Sequence, residues 1–113
     1  MRTIVSLKFR GKTVSLPVRR TGFLRRGFGL MFRTSFTENL LFEFNAPRRY
    51  PFTAFCVFFP FLMIWLDDKN SVLGARVVKP FEWSIKPTFS FTKVVEIPVN
   101  ERNRELVAFF VGK

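Results

Sequence analysis

The chain opens with two stretches in which apolar and polar residues alternate. Val5, Leu7 and Phe9 alternate with Ser6, Lys8 and Arg10, and Val14, Leu16 and Val18 alternate with Thr13, Ser15 and Pro17. A period of two puts successive side chains on opposite faces of a strand. With Arg10-Gly11-Lys12 between them, the two stretches predict a β-hairpin. Pro17 has no N–H to donate, so its strand has a free edge there. Lys8, Arg10 and Lys12 on the outward face protect that edge from pairing.

The pattern changes at residues 20 to 33, RTGFLRRGFGLMFR. Thr21 is placed to cap a short helical turn through Arg26, which Gly27 and Gly29 would end. LLFEF, residues 40 to 44, returns to alternation and predicts a strand with Leu40, Phe42 and Phe44 on one face, ended by Asn45-Ala46-Pro47. From Tyr50 to Leu66 there is no charged residue, and Asp67-Asp68 then closes the run. A helical span needs ~18 or more apolar residues, and Pro51 and Pro60 interrupt a helix further. The run therefore predicts two strands, about 50 to 58 and 61 to 67. The second is apolar on both faces, so it belongs in the middle of a sheet covered on both sides.

Asp68-Lys69-Asn70 is turn chemistry, and SVLGARVVKP reads as the returning strand, with Gly74 marking a bulge or a close backbone approach. FEWSIKP reads as a loop. In FSFTKVVEI, Phe89, Phe91, Val95 and Ile97 alternate with Ser90, Thr92 and Glu96, which puts Glu96 on a polar face. Asn100 is placed to cap one helical turn through Glu105, and LVAFFV reads as a last strand. About eight strands and two short helical pieces predict one all-β domain over residues 1–113, a small barrel or a two-sheet sandwich.

Composition adds two constraints. Seventeen phenylalanines are many for a chain of 113 residues, and those that the core cannot hide would mark a partner surface or a homodimer interface. Nine of the 19 Lys and Arg, and none of the eight acids, lie in residues 1 to 33, within a net charge of +11. Such an excess attracts polyanions. Arg19, Arg20, Arg25, Arg26, Arg33, Arg48 and Arg49, interleaved with Phe23, Phe28 and Phe32, are the candidate nucleic-acid contacts through phosphate pairing and base stacking. The same mixture also describes an amphipathic helix with a charged outer face.

The absence of histidine excludes Ser-His-Asp and Cys-His nucleophiles within this chain and every histidine-containing metal site. Cys56, among Phe55, Val57 and Phe58, reads as a small core hydrophobe. A single cysteine and no signal-peptide pattern lead to an expected cytoplasmic location without a transmembrane segment. No motif implies a cofactor or a metal. Asp67 and Asp68 are the only adjacent acids and the candidate polar site, although neighbours in an extended strand point to opposite faces.

Gly29-Leu30-Met31-Phe32-Arg33, Leu40-Leu41-Phe42-Glu43-Phe44, Phe58-Phe59-Pro60 leading to Ile64-Trp65-Leu66-Asp67, Lys79-Pro80-Phe81 and Val94-Val95-Glu96-Ile97-Pro98 occur in that order. The set resembles the prokaryotic family known as domain of unknown function 192, over roughly residues 20 to 98. The resemblance implies a compact β-rich fold and supplies no reaction. Relatives often carry an aspartate two residues after the proline matching Pro60. Here that residue is Leu62, so a role held by that aspartate does not transfer. Val99 and Asn100 stand where a glycine is common. The expected function is a non-enzymatic binding or interaction module using exposed aromatic surface. The alternatives are a single-stranded nucleic-acid binder and, further off, an enzyme built on carboxylates.

Overall fold

The computed structural model describes residues 2–21, 38–48, 58–82, 85 and 87–112. Six strands form one curled sheet: β1 (Arg2–Phe9), β2 (Lys12–Thr21), β3 (Leu40–Arg48), β4 (Phe61–Leu66), β5 (Val72–Val78) and β6 (Phe91–Pro98). Their order across the sheet is β1-β2-β3-β6-β4-β5. The two edge strands approach each other at one end, where Lys8 bridges Ser71 and the Lys8 N–H donates to the Asn70 carbonyl. The result is a half-barrel.

The β1–β2 hairpin forms as the alternation predicts. Arg10 and Gly11 both take positive φ, 51° and 77°, the geometry of a two-residue hairpin turn whose twist matches its strands. Pro17 lies where β2 pairs with β1 alone, since β2 meets β3 only at Arg19, Arg20 and Thr21. Strand β3 runs past Asn45-Ala46-Pro47 to Arg48, with a register shift against β6 that absorbs the irregular stretch.

Strand β4 lies between β6 and β5, and all six of its side chains are buried. Leu62, Ile64 and Leu66 face an aliphatic core with Val5, Leu7, Leu16 and Val18. Phe61, Met63 and Trp65 face an aromatic core with Phe42, Phe59 and Phe91. Each such side chain contributes roughly 1.5–3 kcal/mol when removed from water, so β4 anchors both layers.

Residues 106 to 111 are not a strand. They belong to helix α1 (Arg104–Val111), which packs on the aliphatic core through Val107 and Phe110. The run LVAFFV is apolar almost throughout, and a short apolar run has no period that separates strand from helix. The ends decide it. The Asn100 side chain accepts the Asn103 N–H (2.8 Å), and Gly112, at φ 74°, closes the helix with its N–H on the Ala108 carbonyl (2.8 Å). Phe9 packs against Phe109 and Phe110, with ring centroids 5.6 and 5.0 Å away. Asn103 leaves the helix N-terminus uncapped and instead donates to the Pro98 carbonyl and the Asn39 side chain. Asn39 in turn donates to the Pro17 carbonyl. This buried polar seam, with both amides satisfied, ties α1 to β2 and β6.

The helical turn expected from Thr21 to Arg26 lies beyond the described residues except for Thr21 itself, which ends β2. The strand expected over 50 to 58, and Cys56 within it, also lie outside them, apart from Phe58.

Candidate functional site on the aromatic face

The register of β3, β6, β4 and β5 assembles the site. On β6, Val94 and Glu96 point to the aromatic face, while Val95 and Ile97 point to the aliphatic one. Glu96 lies between Leu40 of β3 and Met63 of β4, and Arg76 of β5 stands beyond Met63. The neighbouring row runs Phe42, Val94, Trp65, Gly74. At ~4.8 Å between strands, Arg76 and Glu96 are about 10 Å apart at their backbones.

Glu96 is 5% exposed, which corrects its expected place on a polar face. The alternation itself holds from Val94 to Ile97, so Glu96 does lie opposite Val95 and Ile97, but the face it takes is the aromatic core rather than solvent. Burial pushes the Glu96 carboxyl up from the ordinary 4.5 to about 8, because the charged form loses its water. Among the described residues no hydrogen bond or ion pair reaches it. Two more polar atoms on this side are buried without a partner: Trp65 Nε1 and Thr92 Oγ1. A buried donor left unpaired costs roughly 1–3 kcal/mol, and such groups are rare enough that each calls for an explanation.

Gly74 explains how Trp65 is covered. A Cβ there would come 2.8 Å from Phe89 Cζ and 3.9 Å from Trp65 Cε3. The bare backbone therefore lets Phe89 lie across β5 and meet Trp65 edge-on, with ring centroids 5.8 Å apart and planes at 75°. This is the close approach that the glycine predicts. The adjoining cavity, of about 520 Å³, is lined by Trp65, Gly74, Arg76, Ile85, Thr88 and Phe89 among others. Arg76 is ion-paired with Glu82, and that guanidinium holds the Glu82 carboxyl below the usual carboxylate range.

Among the described residues, two phenylalanines stand at the surface. Phe58 is 60% and Phe81 49% exposed, and their rings meet edge-to-face at 5.0 Å. Phe81 has φ 62°, a left-handed conformation that is an outlier for a bulky residue.

Asp67 and Asp68 border a second depression, of about 340 Å³, together with Phe44, Thr92 and Lys93. Asp67 Oδ1 accepts the N–H groups of Lys69 and Ser71, both at 2.9 Å, so this carboxylate organises the β4–β5 turn. Asp68 is exposed in that turn. Lys93 donates to the Asn70 side chain at 2.6 Å. Among the described residues no group of three His, Cys, Asp or Glu is placed to hold a metal ion.

Of the candidate nucleic-acid contacts, Arg19 and Arg20 are consecutive on β2 and so point to opposite faces. Arg19 lies opposite Arg2, and Arg20 pairs with Glu43. Arg48 ends β3, its side chain outside the described set, and Arg25, Arg26, Arg33 and Arg49 lie outside it altogether. Leu62, where relatives often carry aspartate, is fully buried in the aliphatic core. No helix among the described residues is long and apolar enough to cross a membrane.

A curled, mostly antiparallel six-stranded sheet with one covering helix defines a small all-β half-barrel protein. Two solved structures share this fold. One is from Sinorhizobium meliloti 1021, described as a candidate transcription regulator, at 21% identity and a TM-score of 0.74 over 94% of this chain and 85% of that one. The other is a protein of unknown function from Novosphingobium aromaticivorans DSM 12444, at 19% identity and a TM-score of 0.75 over 93% and 78%. The model of the family DUF192, "Uncharacterized ACR", matches residues 5–107, and the chain belongs to that family. No curated protein matches the chain.

Proposed function

We propose that the protein is a small non-enzymatic binding module working through exposed aromatic surface. The observation that carries this is the Phe58–Phe81 pair. Two large apolar rings stay in water, and one of them is held at positive φ. A left-handed conformation costs a non-glycine residue roughly 1–2 kcal/mol, and strain of this kind concentrates at functional positions.

The pair lends itself to a test that separates binding from stability. Phe81→Gly relieves the backbone and removes one exposed ring. The variant is expected to melt at the same temperature or higher while losing most of its binding of anilinonaphthalene sulfonate. Calorimetry and dye fluorescence measure the two effects. A lower Tm with undiminished dye binding would make Phe81 a structural residue and remove the support for this function.

A further inference from the structure

The cavity over Gly74 has the make-up of a small-molecule site. Its volume, about 520 Å³, lies within the ~300–1,000 Å³ typical of ligand pockets, which are mainly apolar with a few placed polar groups. Trp65, Ile85 and Phe89 supply the apolar wall. Arg76 and Thr88 supply the polar groups, and Arg76 is the only charged residue among the described ones that line it. The Arg76 Nη2 is engaged by Glu82, while a guanidinium offers further N–H donors in a planar fork that matches a carboxylate. The chain's net charge of +11 favours the approach of an anion.

We propose that this cavity binds a small apolar carboxylate, its hydrocarbon body on Trp65, Ile85 and Phe89 and its carboxylate on Arg76. The inference rests on the binding-module reading and names its ligand class. Phe89 is the contact that sets the shape of the body. Because Gly74 lets its ring close edge-on against Trp65, which is only 4% exposed, a ligand reaches the indole as Phe89 turns aside.

Naphthoate and its neutral counterpart naphthamide test the proposal. In a Trp83→Phe background the proton–nitrogen spectrum holds a single indole signal, that of Trp65. Naphthoate is expected to shift this signal saturably, and naphthamide to do so more weakly. Arg76→Gln should weaken naphthoate about tenfold, the equivalent of one charge-assisted hydrogen bond, and leave naphthamide unchanged, while Arg76→Lys recovers part of the loss. Equal binding of the two compounds, or the same loss for both in Arg76→Gln, overturns the carboxylate. An unmoved Trp65 signal overturns the cavity. If dye binding that depends on Phe81 persists in that case, only the cavity fails; if it too is missing, the binding-module reading fails with it.

Discussion

Below strand β4 lie Leu62, Ile64 and Leu66, and above it Phe61, Met63 and Trp65. The lower layer is aliphatic and is closed by α1. None of its buried members carries a polar side-chain atom, and the amides at its margin, Asn39 and Asn103, are satisfied. The upper layer is aromatic and holds the buried Glu96 carboxyl, and Trp65 Nε1 and Thr92 Oγ1 are buried without partners among the described residues. Stability alone favours the lower arrangement, because unpaired polar groups work against folding. One sheet thus divides its two sides between holding the fold together and presenting unusual chemistry.

The division can be broken most severely at Ile64, which is fully buried in the aliphatic layer. Ile64→Asp puts a charge where nothing can pair with it, and the chain is expected not to fold; a soluble variant with a native circular dichroism spectrum would mean that β4 is not the anchor. On the other side, Glu96 makes stability depend on pH. Its carboxyl titrates at about 8 when folded against 4.5 ordinarily. Between these values the folded protein keeps a proton that the unfolded chain releases, so stability falls as pH rises through the window and levels off above about 8. Its cross-strand neighbours Leu40 and Met63 are uncharged, and Arg76, one strand further, is already paired with Glu82. The loss is at most ~5 kcal/mol. Glu96→Gln should flatten the profile, as urea unfolding at several pH values would reveal. The smallest effect sharpens the contrast. Thr92→Val keeps the side-chain shape and removes an orphan hydroxyl, and is expected to be neutral or stabilising by up to ~1 kcal/mol. Val95→Thr, which brings a hydroxyl into the aliphatic layer, should cost about 1–3 kcal/mol. Similar melting shifts of the same sign for the two would erase the distinction.

The aliphatic layer was largely legible in the sequence. The β1–β2 alternation and the run from Phe61 to Leu66 carry their own periods, and the Asp67–Asn70 turn marks where β4 ends. Helix α1 was not legible as a helix, because LVAFFV fits either period and its docking on Phe9 is a long-range fact. The aromatic site was less legible still. The presence of Gly74 signalled a close approach, but the ring that approaches, Phe89, is set by tertiary packing. The burial of Glu96 was not legible, because alternation tells which face a side chain takes and not whether that face is covered, and β6 lies in the middle of the sheet. The excess of Phe did announce exposed rings, and Phe58 and Phe81 are exposed, although nothing local distinguishes them from the buried ones.

Strand β6 comes last in the chain and sits in the middle of the sheet, between β3 and β4. During synthesis the two hairpins, β1–β2 and β4–β5, can close from local contacts as they emerge. The sheet cannot join until residue 91 and beyond arrive. Until then β4 offers a bare edge with apolar side chains on both sides, the kind of template that promotes association with other chains. A chain cut short before Phe91 would leave β1–β2–β3 and β4–β5 as two pieces that meet only at the edge where Lys8 bridges Ser71.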